Sequence, residues 1–310
     1  MIATITLNPS VDICYYLDDL KIDDVNRTDS YIKTAGGKGI NVSRVLKQLG
    51  CQVVATGFLG GGTGQFIETE LRKMSVIPQF VHIAEDTRNC IAIIHSGKQT
   101  EILESGPNIA EEEAQAFIQQ LADILDYNNI KVVAASGSLP SGLARDYYNK
   151  IIEITKSKGI KFALDTSGGS LKEAVKASPY LIKPNISELE NLLDRKIKSE
   201  KELICALHEL EKYQLEMVVV SLGKEGCIAL CGNEIYKVTI PEVAVINPVG
   251  SGDAMLAGML KEIANNGSFE EILKVGNTCG ILNAMNEKTG AIALDKFVEI
   301  YSKIKIDPIK

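Results

Sequence analysis

The chain has 310 residues, 45% of them hydrophobic, enough to bury the core of one large α/β domain without metal or disulfide staples. Forty acidic residues against 33 basic ones give a formal charge of −7, and no Lys/Arg-rich stripe or tail interrupts that balance, which argues against a nucleic-acid partner. No stretch approaches the roughly 18 apolar residues of a membrane helix, and Met1 to Leu7 lacks both regions of a signal peptide, so a soluble, cytoplasmic protein with no membrane partner is expected. The seven cysteines are odd in number and mostly set in apolar runs such as Asn89-Cys90-Ile91-Ala92-Ile93, which reads as reduced thiols. Cys227 and Cys231 have no second ligand pair near them, against a zinc site.

In chain order, the first strand runs into Thr6-Leu7-Asn8-Pro9-Ser10-Val11-Asp12. Asp12 therefore falls just past the carboxyl end of a strand, where ligands of open α/β sheets bind, although a turn residue reads the same way. No G-x-G-x-x-G follows, which disfavours a dinucleotide-dependent oxidoreductase. Residues 11–34 carry a broken strand pattern rich in acids. Next comes Thr34-Ala35-Gly36-Gly37-Lys38-Gly39-Ile40-Asn41, leading into the helical pattern Val42 to Leu49. The full P-loop spacing is absent, so a Walker-type NTPase is disfavoured. The cluster suits either bare backbone running along a small polar ligand such as a sugar, with Asn41 offering donor and acceptor, or a tight strand-to-helix turn.

Beyond a strand at Val53–Ala55, residues 89–104 read as two strands around Ser96-Gly97, a hairpin signal. Strands outside any βα repeat predict a small separate sheet, a lid formed by about 11–34 and 89–104 within a single body spanning 1–310. Amphipathic segments at Glu111–Leu125, Ala144–Lys156 and Glu200–Tyr213 then alternate with short strands at Lys131–Ala135, Lys161–Leu164, Leu181–Lys183 and Met217–Ser221. That alternation predicts a mostly parallel central sheet covered by helices on both faces. After the third of these strands, Asn185 and Glu188 stand three apart at a helix start, where they could hold the waters of a magnesium ion or simply close a capping box. Ser221, Gly223 and Gly226 end the next strand in a turn suited to a nucleotide.

The most informative segment is Asn247-Pro248-Val249-Gly250-Ser251-Gly252-Asp253 at the head of an apolar helix. Glycines at a helix start leave N–H groups free and admit a phosphate, and the helix dipole favours its charge. Asp253 in the first turn could take the proton of an attacking hydroxyl. A helix cap would explain the carboxylate, but it leaves the run of glycine and serine unexplained.

These segments, in this order, resemble the phosphofructokinase B branch of the ribokinase-like family over essentially the whole chain. Two signatures carry the resemblance: Gly36-Gly37-Lys38-Gly39-x-Asn41-x-Ser43 with glycines at 50 and 60, and Asn247-Pro-x-Gly-Ser-Gly-Asp253. The resemblance implies a large ATP-binding α/β domain, a β lid that closes over the sugar and pairs with a second copy in a homodimer, and a need for ATP and Mg2+. It implies Asp253 as catalytic base and the amides of Gly250, Ser251 and Gly252 as the anion hole. Asp12, Gly37, Lys38 and Asn41 match the family's sugar contacts, and Arg27, Arg88 and Ser138 its sugar-phosphate clamp, for which a guanidinium fork is suited. Lys183, Asn185, Glu188, Ser221, Gly223 and Gly226 would serve ATP and its metal, and Gly276, Asn277 and Asn283 would line the adenine pocket.

Within the branch, Ile22–Arg27, Lys33–Gly39, Thr87–His95 and Gln99–Glu104 resemble members that phosphorylate O1 of tagatose 6-phosphate. The alternatives are members acting on fructose 1-phosphate, which typically have Pro rather than Ala before the early glycines, and a non-catalytic sugar-phosphate sensor. The intact Gly250–Asp253 run speaks against the sensor.

Overall fold

The computed structural model describes residues 1–309. Chain order begins with β1 (Ile2–Thr6), β2 (Ser10–Leu17), β3 (Tyr31–Gly36), α1 (Lys38–Gln48), β4 (Val53–Gly60), α2 (Gly61–Lys73), β5 (Ile77–Pro78), β6 (Val81–Ile83), β7 (Arg88–His95) and β8 (Lys98–Leu103). It continues through α3 (Glu111–Tyr127), β9 (Val132–Ser136), α4 (Tyr147–Ser157), β10 (Lys161–Asp165), α5 (Gly168–Ala174), β11 (Leu181–Ile182), α6 (Ile186–Leu193), α7 (Glu200–Leu210) and β12 (Met217–Ser221). It closes with β13 (Cys227–Cys231), β14 (Glu234–Thr239), α8 (Ser251–Ala264), α9 (Phe269–Ala284), α10 (Phe297–Lys303) and β15 (Lys305–Ile309).

The large sheet runs β15-β14-β13-β12-β11-β10-β9-β1-β4-β5, with β6 also on β4. Pairing is parallel from β5 through β12 and antiparallel over the β13, β14 and β15 edge. Every residue of β1, β4 and β9 is buried, because both faces of a parallel sheet carry helices. Successive side chains feed opposite faces. Ile2, Val132, Ala134, Ala163 and Val219 join α1, α8 and α9 in one core, while Ala3, Val133, Phe162, Leu164 and Val218 join α3, α4 and α7 in the other. The order reverses at β1, which lies between β4 and β9. That is the topological switch point, and the crevice beyond its carboxyl end is where such sheets bind ligands.

A separate four-stranded sheet, β3-β2-β7-β8, grows from the end of β1. Its strands occupy 10–17, 31–36, 88–95 and 98–103, so the acid-rich stretch 18–30 is a loop within the segment expected as strand. The hairpin lies where Ser96-Gly97 puts it, both residues adopting positive φ (46° and 69°), as a type I′ turn requires. The antiparallel edge of the large sheet, with β14 and β15, is absent from the sequence expectation.

Helices α8 and α9 approach closely through small residues. A side chain on Gly258 would begin 2.7 Å from the Val275 carbonyl oxygen and 3.0 Å from the Gly276 Cα. Gly258→Ala gains helix propensity of up to about 1 kcal/mol but forces these backbones apart, so we expect net destabilisation of about 1–2 kcal/mol. A urea midpoint equal to or above wild type would contradict this packing.

Candidate active site

The carboxyl ends of the parallel strands and the starts of two helices bring one cluster together. Asp253, in the first turn of α8, is 6% exposed. Its Oδ2 accepts a hydrogen bond from Asn41 Nδ2 at 2.9 Å, and Asn41 stands one turn into α1. Asp165, the last residue of β10, is paired with both Lys38 Nζ (3.6 Å) and Lys183 Nζ (3.2 Å). Lys183 Nζ also lies 3.2 Å from where a side chain on Gly252 would begin. Two ammonium groups and a helix N-terminus thus lie around the Asp253 carboxylate. Asp165 went unnoticed in the sequence, although a carboxylate ending an apolar strand (Lys161-Phe162-Ala163-Leu164-Asp165) is the same signal that marked Asp12.

The anion hole differs in detail from expectation. Gly250 has φ +81°, and a side chain there would meet Thr289 Cγ2 at 2.5 Å, so both conformation and space demand glycine. The Ser251 amide already donates to the Pro248 carbonyl at 3.2 Å. The first-turn N–H groups of Gly252 and Asp253 have no intrahelical acceptor, so they are the ones left free to donate to an anion. The loop is braced from behind: Asn247 Nδ2 donates to the Glu287 carbonyl (3.0 Å), and Asn283 Nδ2 to the Val249 carbonyl (2.8 Å) and Ser251 Oγ (3.2 Å).

The same bracing engages one of the residues expected at the adenine pocket. Asn283 is fully buried with both ends of its amide engaged, Oδ1 accepting from Gly290 N at 2.8 Å. Asn277 donates to the Leu273 carbonyl, and Gly276 packs against Met255 and Met259 of α8. All three are buried, Gly276 in the close packing of α9 on α8 and Asn283 behind the loop.

On the sugar side, Ser10 Oγ donates to Asp12 Oδ1 at 2.6 Å, and the Asp12 carboxylate covers Gly36 so closely that a side chain there would begin 2.1 Å from Oδ2. Burial raises the Asp12 pKa, opposed by Ser10, Arg44 and Arg88. Gly37 has φ +105° and abuts Thr6 and Pro9, so the glycine cluster is at once a tight turn and a floor for the cleft. Arg88 reaches across from β7, donating from Nη2 to the Asn8 carbonyl (3.1 Å) and from Nη1 to that of Glu104 (2.9 Å). Its Nε is buried without a partner, as is Asn8 Oδ1. Arg27 is exposed on the 18–30 loop, and Ser138 is exposed in the turn after β9; neither meets a charged partner among the described residues.

On the other side of α8, Asn185, Ile186, Ser187, Ser221, Leu222 and Glu225 line a cleft of about 370 Å³. Asn185 and Glu188 form the capping box, Asn185 Oδ1 accepting from Glu188 N and Glu188 Oε2 from Asn185 N, both at 2.9 Å. Glu188 Oε1 stays unused, so an oxygen donor for a hydrated hard cation is present and the residues fit magnesium held through water. Gly226 (φ +88°) lies against β14, its absent side chain 2.0 Å from the Val238 carbonyl, whereas Gly223 faces open space.

The buried charges set the protonation of the base. Burial pushes Asp253 up to about 6, and Asp165 adds to the rise; Asn41, Lys38 and Lys183 oppose it. Lys38 is held above its ordinary value mainly by Asp165. Because the folded protein binds the Asp253 proton more tightly than the unfolded chain, stability declines as pH rises from 3.8 to about 6, and the full penalty persists above that. Asp253→Asn removes it, so at pH 7 the variant should be more stable by on the order of 2 kcal/mol. The difference should vanish below about pH 4, where wild type is also neutral. Urea midpoints against pH test this; a variant less stable than wild type at pH 7 would refute the buried-charge account.

The pfkB family of carbohydrate kinases matches residues 5–296. The tagatose-6-phosphate kinases of two Staphylococcus epidermidis strains are each 47% identical over 309 residues, covering 99% of this chain and 99% of theirs. Among solved structures, phosphofructokinase-2 from Escherichia coli in complex with potassium superposes with a TM-score of 0.91 at 28% identity, covering 97% of this chain and 98% of that one. With the Gly250–Asp253 turn, the glycine floor and the small sheet all in place, the chain belongs to the pfkB family of carbohydrate kinases.

Proposed function

We propose that the protein transfers the γ-phosphoryl group of ATP to the O1 hydroxyl of D-tagatose 6-phosphate, giving D-tagatose 1,6-bisphosphate, in the cytoplasm. The observation that carries the chemistry is the buried Asp253 carboxylate beside the free amides of Gly252 and Asp253, with Lys38 and Lys183 within reach of the same space. The sugar assignment is supported by the relatives that match over 99% of the chain.

In this reading Asp12, Gly37 and Asn41 hold the sugar hydroxyls, and Arg88, Arg27 and Ser138 hold the existing phosphate. The small sheet acts as a lid that excludes water once the sugar is bound. Asp253 accepts the O1 proton as the O1–P bond forms and the bond from the γ-phosphorus to the ADP oxygen breaks. The first-turn amides of α8 and the ammonium of Lys183 take up the charge on the equatorial oxygens. Lys183, Asn185, Ser221 and Gly223 line the nucleotide side. Asn185 and Glu188 would hold magnesium through water, which supplies charge neutralisation on the phosphates.

Two copies pair through the lids. One lid face aligns Cys14, Tyr16, Ile32, Cys90, Ala92 and Leu103 by strand register, with Tyr16, Ile32 and Leu103 41%, 48% and 62% exposed. Contiguous exposed apolar surface of this kind marks an interface.

Turnover with ATP and magnesium should favour tagatose 6-phosphate over fructose 6-phosphate and fructose 1-phosphate in kcat/KM. Preference for fructose 1-phosphate would move the enzyme to the alternative substrate. Asp253→Asn should lower kcat by about 10²–10⁴-fold, and Arg88→Ala should raise the sugar-phosphate KM about tenfold or more. Unchanged kcat or unchanged KM would remove the respective residue from its role. Sedimentation should give a dimer that Ile32→Glu dissociates; a wild-type monomer at micromolar concentration would exclude the lid pairing.

A further inference from the structure

Arg44 has no part in the chemistry above, yet it is among the most heavily engaged side chains near the site. It stands three residues after Asn41 on α1, on the same helix face. Nη1 donates to Asn41 Oδ1 at 2.9 Å and to the Thr289 carbonyl at 3.2 Å, and Nη2 donates to the Ala35 carbonyl at 2.6 Å. One turn further along α1, Gln48 Nε2 donates to the Gly290 carbonyl (2.7 Å) and Oε1 accepts from Ile292 N (2.9 Å). The guanidinium is fixed on three sides.

A primary amide fits its pocket equally well either way round, and only its partners decide which end is oxygen. Arginine carries donors alone, so the atom facing Arg44 has to be Oδ1. An ionised carboxylate carries acceptors alone, so the atom facing Asp253 has to be Nδ2. The two demands agree, and the amide has one permitted orientation. The other charged groups facing Asp253 are Asp165 from β10, Lys38 from α1 and Lys183 from the end of β11. Their signs are set by their chemistry. Asn41 alone could reverse and offer oxygen to a protonated Asp253.

We propose that Arg44 is a positioning residue for phosphoryl transfer: by holding Asn41 Oδ1 it fixes Nδ2 toward Asp253, keeping the base ionised and aimed at the acceptor hydroxyl. A charge-assisted bond from Nδ2 is roughly twice as strong as the bond to the neutral acid, so the fixed amide favours the form that accepts a proton. The link to Thr289 joins this alignment to the turn behind Gly250. The inference rests on Asp253 being the general base.

The test is the pH dependence of kcat/KM for wild type, Arg44→Met, Arg44→Lys, Asn41→Leu and the double variant Arg44→Met with Asn41→Leu. Wild type should lose activity as pH falls through about 6. Arg44→Met should move that acid limb to higher pH by about half to one unit and lower kcat/KM at pH 7 by about tenfold. Arg44→Lys keeps the charge but cannot span all three acceptors, so it should shift the limb the same way and by less. The double variant should match Asn41→Leu alone. Should Arg44→Met fail to fold, an Arg44→Lys limb superimposed on wild type would overturn the proposal. An Arg44→Met limb that stays in place while only the urea midpoint falls would overturn it equally, as would additive shifts in the double variant. A wild-type profile with no acid limb at all would instead strike at Asp253 as base.

Discussion

The structure is organised around a buried carboxylate, that of Asp253. Asp253 has to be buried to lie beside the helix amides, and burial penalises the charge that a base needs. The neighbourhood answers with an amide donor from α1, two ammonium groups and the N-terminus of α8, while Asp165 keeps the two lysines from collapsing onto the base. These groups come from the ends of four elements, α1 supplying both Asn41 and Lys38. The cluster therefore exists only when β10, β11, α1 and α8 are all in register.

Asp165 has a double character that follows from its place. It opposes ionisation of Asp253 through space, yet it anchors Lys38 and Lys183, which favour it. The net result leaves the Asp253 pKa raised to about 6, within the range that suits a group accepting a proton and releasing it again. A site with the lysines alone would bind phosphate more strongly and hold the aspartate more firmly ionised, at the expense of its basicity.

The sequence made the architecture and the two glycine-bearing turns readable because both rest on local rules. Burial on both faces writes itself as continuous apolar runs, and a helix start that receives an anion needs glycine near Asp253 whatever surrounds it. The capping box at Asn185 and Glu188 is likewise local, and the structure shows it formed. Asp165 and Arg44 escaped because their significance is purely tertiary: a strand-ending Asp and a helical Arg are ordinary until their partners, distant in sequence, arrive. Gly276, Asn277 and Asn283, which the family resemblance places at the adenine pocket, take part in helix–helix packing and loop bracing, and that use is tertiary too. The 18–30 loop and the antiparallel edge differ for a related reason, since strand pairing depends on partners that periodicity cannot reveal.

The position of β1 bears on how the protein is made. Strand β1, which precedes both of its neighbours in the chain, lies in the middle of the large sheet, paired on one side with β4 and on the other with β9. Between Gly60 and Val132 the nascent chain must therefore carry an apolar strand with one edge open. At roughly 5–20 residues per second that interval lasts several seconds. Strands β7 and β8, which complete the small sheet, and α3 are synthesised within it, and α3 lands on the face of β1 that Ala3 and Ile5 supply.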